Sequence, residues 1–217
     1  MTIAERYAKL FSSKVWIISV AIGFFLFSAS LVANYFAGIY AEESASNKVT
    51  DLILSNIPVF DVDILFIYGA VVLFFIITGI ALAEPERLPF LLKSIALFVF
   101  IRSFFITFTH IKPAVDGVIL SNHNPLAWVT FGGDLFFSGH TGIPFLMALI
   151  FWDQPVRRFL FLGTSFVLSA AVLMGHLHYS IDVFAAFFIT YSIADLAKFF
   201  FAKDYHLFLQ GTIKKRE

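Results

Sequence analysis

Apolar residues run nearly unbroken through long stretches of this chain, and the polar residues gather between those stretches. A run of about twenty apolar positions crosses a hydrocarbon core of roughly 30 Å as one helix. Six spans are predicted on that basis, at about 15–39, 63–83, 88–110, 139–152, 158–177 and 180–201. The fourth is the shortest and borrows residues from its flanks. Residues 1–14 read as an interfacial segment through Tyr7, Leu10 and Phe11, residues 15–203 as the membrane domain, and 204–217 as a basic tail. The loop at about 40–62 opens acidic and turns apolar at Leu52-Ile53-Leu54, a pattern that suits a short amphipathic helix on the membrane surface. Glu84-Pro85-Glu86-Arg87 and the segment from Asp153 to Arg158 read as tight turns.

Composition strengthens this picture. Hydrophobic residues make up 59% of 217 positions, 30 of them Phe, and only 14% are charged. Those values exclude an ordinary soluble domain. The basic residues then orient the bundle. Arg6, Lys9 and Lys14 precede the first span, Arg87 and Lys93 follow the second, and Arg157 and Arg158 follow the fourth. Lys198, Lys203, Lys214, Lys215 and Arg216 end the chain, whereas the opposite loops hold only Lys48 and Lys112. The expected fold is all-α: an integral membrane bundle of six transmembrane helices with both termini cytoplasmic. The formal net charge is zero, so nothing points to nucleic acid, and the chain has no cysteine for a disulfide or a thiol nucleophile. The N-terminal apolar run is long enough to span and lacks a small-x-small site, so it does not read as a cleaved signal.

Two polar islands interrupt the apolar sequence. One is Gly133-Asp134-Leu135-Phe136-Phe137-Ser138-Gly139-His140-Thr141, and the other is His176-Leu177-His178-Tyr179-Ser180-Ile181-Asp182-Val183. Polar groups near a bilayer are costly unless paired, solvated or used. His178 and Asp182 are four apart and share a helix face. A carboxylate on one imidazole nitrogen fixes the tautomer and frees the other nitrogen as base or nucleophile. His140 adds a second imidazole, beside a Ser138-Gly139 turn whose backbone N–H groups suit an anion. Arg102 lies inside the third span, roughly 12 Å from its predicted outer end, and requires a partner: a phosphate, Asp134 or Asp182. A guanidinium forks onto phosphate oxygens as a Lys cannot. The constellation suits phosphoryl transfer, one histidine attacking phosphorus and the other protonating the leaving oxygen. The residues taken alone also allow a metal site built from His176, His178, His140 and Asp134. His110, His123 and His206 read as interfacial, and Asp195 as paired with Lys198 or hydrated.

The islands resemble the two signature motifs of the sphingomyelin synthase family, a branch of the type 2 phosphatidic acid phosphatase superfamily. The likeness rests on Gly133-Asp134-x-x-Phe137-Ser138-Gly139-His140-Thr141 and on His178-Tyr179-Ser180-x-Asp182-Val183. Arg102-Ser103 with Thr109 and Pro113 resembles a weaker motif of the same family. The resemblance implies that His178 is the nucleophile, held by Asp182, and that His140 handles the leaving-group and acceptor protons. It also implies that no metal or other cofactor is required. Arg102, Asp134, Ser138, Gly139 and Tyr179 read from their own chemistry as substrate- or phosphate-binding, with Asp134 bracing the turn or the arginine and Tyr179 packing or bonding a phosphate oxygen. The basic-residue distribution puts both islands on the extracytoplasmic side. Phe137 in place of Pro before Ser138, and Val172 in place of Arg six residues before His178, depart from the general lipid phosphatase pattern and lean toward the transferase branch. The expected partners are a phospholipid donor, with a phosphocholine or phosphoethanolamine head group, and a lipid alcohol acceptor such as ceramide. The alternatives are a lipid phosphate phosphatase that uses water, a non-catalytic lipid-binding membrane protein and, last, a transporter.

Overall fold

The computed structural model describes residues 2–114 and 135–213. All the regular structure among them is helical: α1 (Ile3–Phe11), α2 (Lys14–Glu43), α3 (Asp63–Ala83), α4 (Leu88–Ile106), α5 (Gly139–Ile150), α6 (Pro155–Met174), α7 (Ser180–Phe200) and α8 (Ala202–Ile213). Five of these, α2, α3, α4 (with the preceding turn from Pro85), α6 and α7, are long and apolar enough to cross a membrane, and α5 is a shorter apolar helix. Each of the six predicted spans therefore holds a helix, and the chain is a multi-pass membrane bundle.

Helix ends fall where the local chemistry stops or starts the ladder. Thr2 and Glu5 form a reciprocal capping box at the start of the amphipathic α1. Ser13 caps α2, and Pro155 opens α6 at a position where its missing N–H costs nothing. α4 is the central helix, with eleven of its 19 residues buried, against six of 30 in α2 at the perimeter. α2 packs chiefly on α4, and α5 packs on α6 and α7. Phe98, Phe137, Leu146, Met147 and Phe161 form the fully buried centre of the core. Gly142 permits that packing: a Cβ there would stand 2.5 Å from the Phe98 ring and 2.9 Å from Thr190 Oγ1.

The two ends of the bundle differ. At the end away from the polar islands, Glu84 pairs with both Arg87 and Arg157, and Arg6 pairs with Glu86. Lys93 Nζ meets Asp204 Oδ2 at 2.6 Å, and Trp16 Nε1 donates to the Pro85 carbonyl at 3.2 Å. The Arg87 guanidinium is wholly buried against the ring of Phe208, 4.5 Å away. These contacts clasp α1, α2, α6 and α8 to the turn at Pro85–Arg87, so α8 packs into this end of the bundle.

The opposite end corrects one expectation. The loop after α2 carries a single 3-10 turn, Leu54–Asn56, instead of an amphipathic helix. Its backbone groups bond elsewhere: Ser46 N donates to the His110 carbonyl at 2.9 Å, and Lys112 N to the Asn47 carbonyl at 3.2 Å. Two segments more than sixty residues apart thereby run side by side above the bundle.

Candidate active site

α5 is the key to the site's depth. Its 12 residues extend only about 18 Å, too short for the hydrocarbon core, so its first residues lie inside the bundle rather than at its rim. Ser169 Oγ donates to Thr141 Oγ1 at 2.9 Å, and Ser165 Oγ donates to the Thr141 carbonyl at 2.8 Å. Those bonds fix the start of α5 between one and three turns below the end of α6. Ser138 is fully buried and caps the helix, its Oγ accepting from Thr141 N at 3.4 Å. His140 follows in the first turn, half-buried, its ring stacked on Phe66 with centroids 4.0 Å apart. Pro144 has no N–H to return to the His140 carbonyl.

The second island is built on a helix-ending motif. Leu177 N bonds the Val172 carbonyl at 2.9 Å and His176 N bonds that of Leu173 at 3.0 Å, the paired bonds of a Schellman turn. The residue at the left-handed position is usually Gly; here it is His176, with φ of 52°. A non-Gly residue held in this region signals local backbone strain. The turn reverses the chain and aims His178, which is 5% exposed, back toward the bundle. Its Nδ1 lies 3.5 Å from Oδ2 of the fully buried Asp182. The same oxygen accepts from Tyr179 N at 2.9 Å, so Asp182 both caps α7 and faces the imidazole.

The islands meet. Ser138 N donates to the Asp182 carbonyl at 3.2 Å, which joins the α5 cap directly to the first turn of α7. His140 lies within electrostatic reach of both His178 and Arg102. Arg102 is buried one turn before the end of α4; its Nε donates to the Phe137 carbonyl at 2.8 Å and its Nη1 to Asn34 Oδ1 at 3.1 Å. Gly139 lies against the guanidinium: a Cβ there would stand 3.5 Å from Arg102 Nε, an ordinary contact distance. His140, His178, Asp182, Arg102, Ser138 and Gly139 thus converge from three helices. Asp134 and His123 lie outside the described residues.

Tyr179 is placed differently from its neighbours. It is 1% exposed, and its hydroxyl donates to the Lys112 carbonyl at 2.8 Å, toward the loops. His176 is buried beside the site, and among the described residues its Nε2 has no hydrogen-bond partner. Among the described residues, no group of three or more His, Asp or Glu side chains is placed to hold a metal ion. His110 bonds the Thr107 carbonyl at 3.1 Å through Nε2, and Lys198 pairs with Asp195 at 3.0 Å.

Two residues at the site escaped the sequence reading. Asn34 carries the one amide side chain inside the first span, and that was its signal. Asp51 lies in the loop, and its Oδ2 accepts from both Ser180 N and Ser180 Oγ at 2.7 Å. Burial works against ionisation of Asp51, but the hydrogen bonds from Ser180, Leu54 and Ile53 outweigh it and hold the carboxyl below its ordinary value.

Comparison with known proteins gives one family. No curated protein and no solved structure matches the chain. Residues 132–198 match the family model described as PAP2 superfamily C-terminal. The matched segment contains both islands, with Ser138, His140, His178 and Asp182, and leaves out Arg102. This match likens that segment, under half of the chain, to the type 2 phosphatidic acid phosphatase superfamily.

Proposed function

We propose that the chain is a membrane lipid phosphotransferase that moves a phospholipid head group to a lipid alcohol. The observation that carries this reading is the Ser138–Asp182 backbone bond, which joins the turn of a carboxylate-flanked histidine to the helix start that carries a second histidine, beside a buried arginine. Neither histidine alone suggests phosphoryl transfer; the pair, with a guanidinium at hand, supplies nucleophile, proton carrier and charge stabiliser.

In the first half-reaction, Nε2 of His178 attacks the phosphorus of a phospholipid and the bond to the glycerol oxygen breaks. His140 gives that oxygen its proton, and a diacylglycerol leaves. The head group remains as a phosphohistidine. In the second half, His140 takes the proton of an acceptor hydroxyl, whose oxygen attacks phosphorus and breaks the P–N bond. Arg102 and the Ser138–Gly139 turn stabilise the negative charge on phosphorus oxygens in both directions. The acceptor is ceramide or a similar lipid alcohol, and the donor carries a phosphocholine or phosphoethanolamine group.

An apolar groove of about 370 Å³ between α2 and α4, lined by Ala33, Ala37, Phe100 and Phe104, runs along the residues next to Asn34 and Arg102. The distribution of Lys and Arg supports cytoplasmic termini and a site on the extracytoplasmic side. A second reading keeps the same residues with water as acceptor, which the superfamily match favours equally.

The test is a product assay on purified protein in mixed micelles, with labelled ceramide, a panel of phospholipids, phosphatidic acid and a chelator. The expected product is a labelled phosphosphingolipid, absent with His178→Ala. Free phosphate alone would establish the hydrolase, and no product of either kind would overturn both readings.

A further inference from the structure

The turn that carries His178 is held from outside as well as by its own two helices. Phe60 N donates to the Met174 carbonyl at 2.9 Å, and Val49 N to the Tyr179 hydroxyl at 3.4 Å. Between these, Asp51 Oδ2 takes both the backbone amide and the hydroxyl of Ser180. Its other oxygen accepts from Ile53 N at 2.9 Å and Leu54 N at 3.1 Å, so one carboxylate shapes the loop and grips the helix at once. Leu54 is buried against Leu135 and Tyr179. Gly175 completes the fit, because a Cβ at that position would collide with Val62 Cγ2. A loop whose only task is to join α2 to α3 needs none of these bonds.

We propose that the loop at 44–62 is a splint for the catalytic turn and that Asp51 is its positioning residue, setting where the His178 imidazole stands relative to His140. This inference rests on the assignment of His178 as nucleophile. Asp51 does not touch the reacting atoms; it acts through Ser180, two residues from His178. The turn it steadies contains the strained His176, which has an incentive to relax once the outer bonds are lost. A displacement of about 1 Å at a nucleophile costs on the order of a hundredfold in rate, so a clamp at this point governs turnover more than substrate affinity.

The experiment compares full-length wild type, Asp51→Ala and Asp51→Asn in bilayer nanodiscs. It reads kcat and KM with ceramide and a diacyl phospholipid, melting temperature, and amide hydrogen exchange over residues 176–184. Asp51→Ala is expected to lower kcat by about tenfold or more with KM within about twofold, to leave the melting temperature nearly unchanged, and to speed exchange in 176–184. Asp51→Asn, which keeps one acceptor oxygen, is expected to recover part of both losses. Unchanged kcat in Asp51→Ala would overturn the proposal. So would a fall in kcat that tracks a fall in melting temperature and is not relieved by Asn. Should wild type turn nothing over, the functional reading fails, and exchange still decides the splint: faster exchange supports it, and identical exchange in wild type and Asp51→Ala overturns it.

Discussion

His178 Nδ1 stands 3.5 Å from Asp182 Oδ2, while the amide of Tyr179 holds the same oxygen at 2.9 Å. The carboxylate is therefore anchored first to the backbone and offered second to the imidazole. Catalytic hydrogen bonds are often long before substrate arrives and tighten afterwards. Asp182→Asn separates the two duties, because an amide oxygen still caps Tyr179 but carries no charge to steady an imidazolium. We expect kcat to fall by about 10²–10⁴-fold with the melting temperature in detergent nearly unchanged. Equal losses of stability and activity would assign Asp182 to structure alone.

Arg102 engages the Phe137 carbonyl and Asn34 through separate nitrogens. Lysine gathers its three N–H groups on one nitrogen and cannot reproduce a planar fork that engages acceptors through separate nitrogens. Arg102→Lys should lower kcat/KM by about 10²-fold, measured on a lipid phosphate ester in mixed micelles. Wild-type kcat/KM in this variant would remove Arg102 from the site.

Gly142 has no room for a methyl group. The Phe98 ring that blocks it is fully buried and packs edge-on against Phe137, centroids 5.3 Å apart, and the Phe137 carbonyl holds Arg102. Gly142→Ala should destabilise the bundle by about 1–3 kcal/mol, the usual cost of overpacking, and lower turnover through Arg102. Thermal unfolding in detergent checks the first effect. A Gly163→Ala control, at a glycine with open space around it, should leave both unchanged.

Acid should loosen the loop before the bundle. The Asp51 pKa in the folded protein lies below its ordinary value of 3.8. The stability that Asp51 lends is therefore fully present above pH of about 4 and disappears as pH falls through the lower, folded value. Amide exchange at Ser180, corrected for intrinsic rates, should lose protection in that window, and Asp51→Asn should remove the step. A step at the same pH in both proteins would place its origin elsewhere.

The spans were legible because apolar runs longer than the hydrocarbon core have few other fates. Their ends were less so: α4 stops at Ile106 rather than near 110, where Thr107 and Thr109 turn their hydroxyls back onto the Phe104 and Phe105 carbonyls. His140, His178 and Asp182 announced themselves as polar residues in apolar surroundings. Asp51 did not, since a carboxylate in a loop is ordinary and its partner Ser180 lies 129 positions away. His176 hid for another reason: the left-handed turn it adopts is written in most sequences as Gly. The expected loop helix failed because Asp51, Ser46 and Asn47 found partners outside the loop, and those bonds outweighed the helical pattern of Leu52-Ile53-Leu54.

The basic residues at the far end of the bundle belong to two moments in the life of the chain. During insertion, side chains near each span are sampled while still unpaired, and there Arg6, Arg87, Lys93 and Arg157 count as positive charge. In the folded protein the same four side chains face Glu84, Glu86 and Asp204. Paired in this way, the four side chains show their surroundings a weaker field than they would unpaired. Replacing Glu84 with Gln would leave the topological signal untouched and strip the folded state of the carboxylate that two arginines share. The expected orientation and the stability of the far end are thus separable, although both draw on the same few residues.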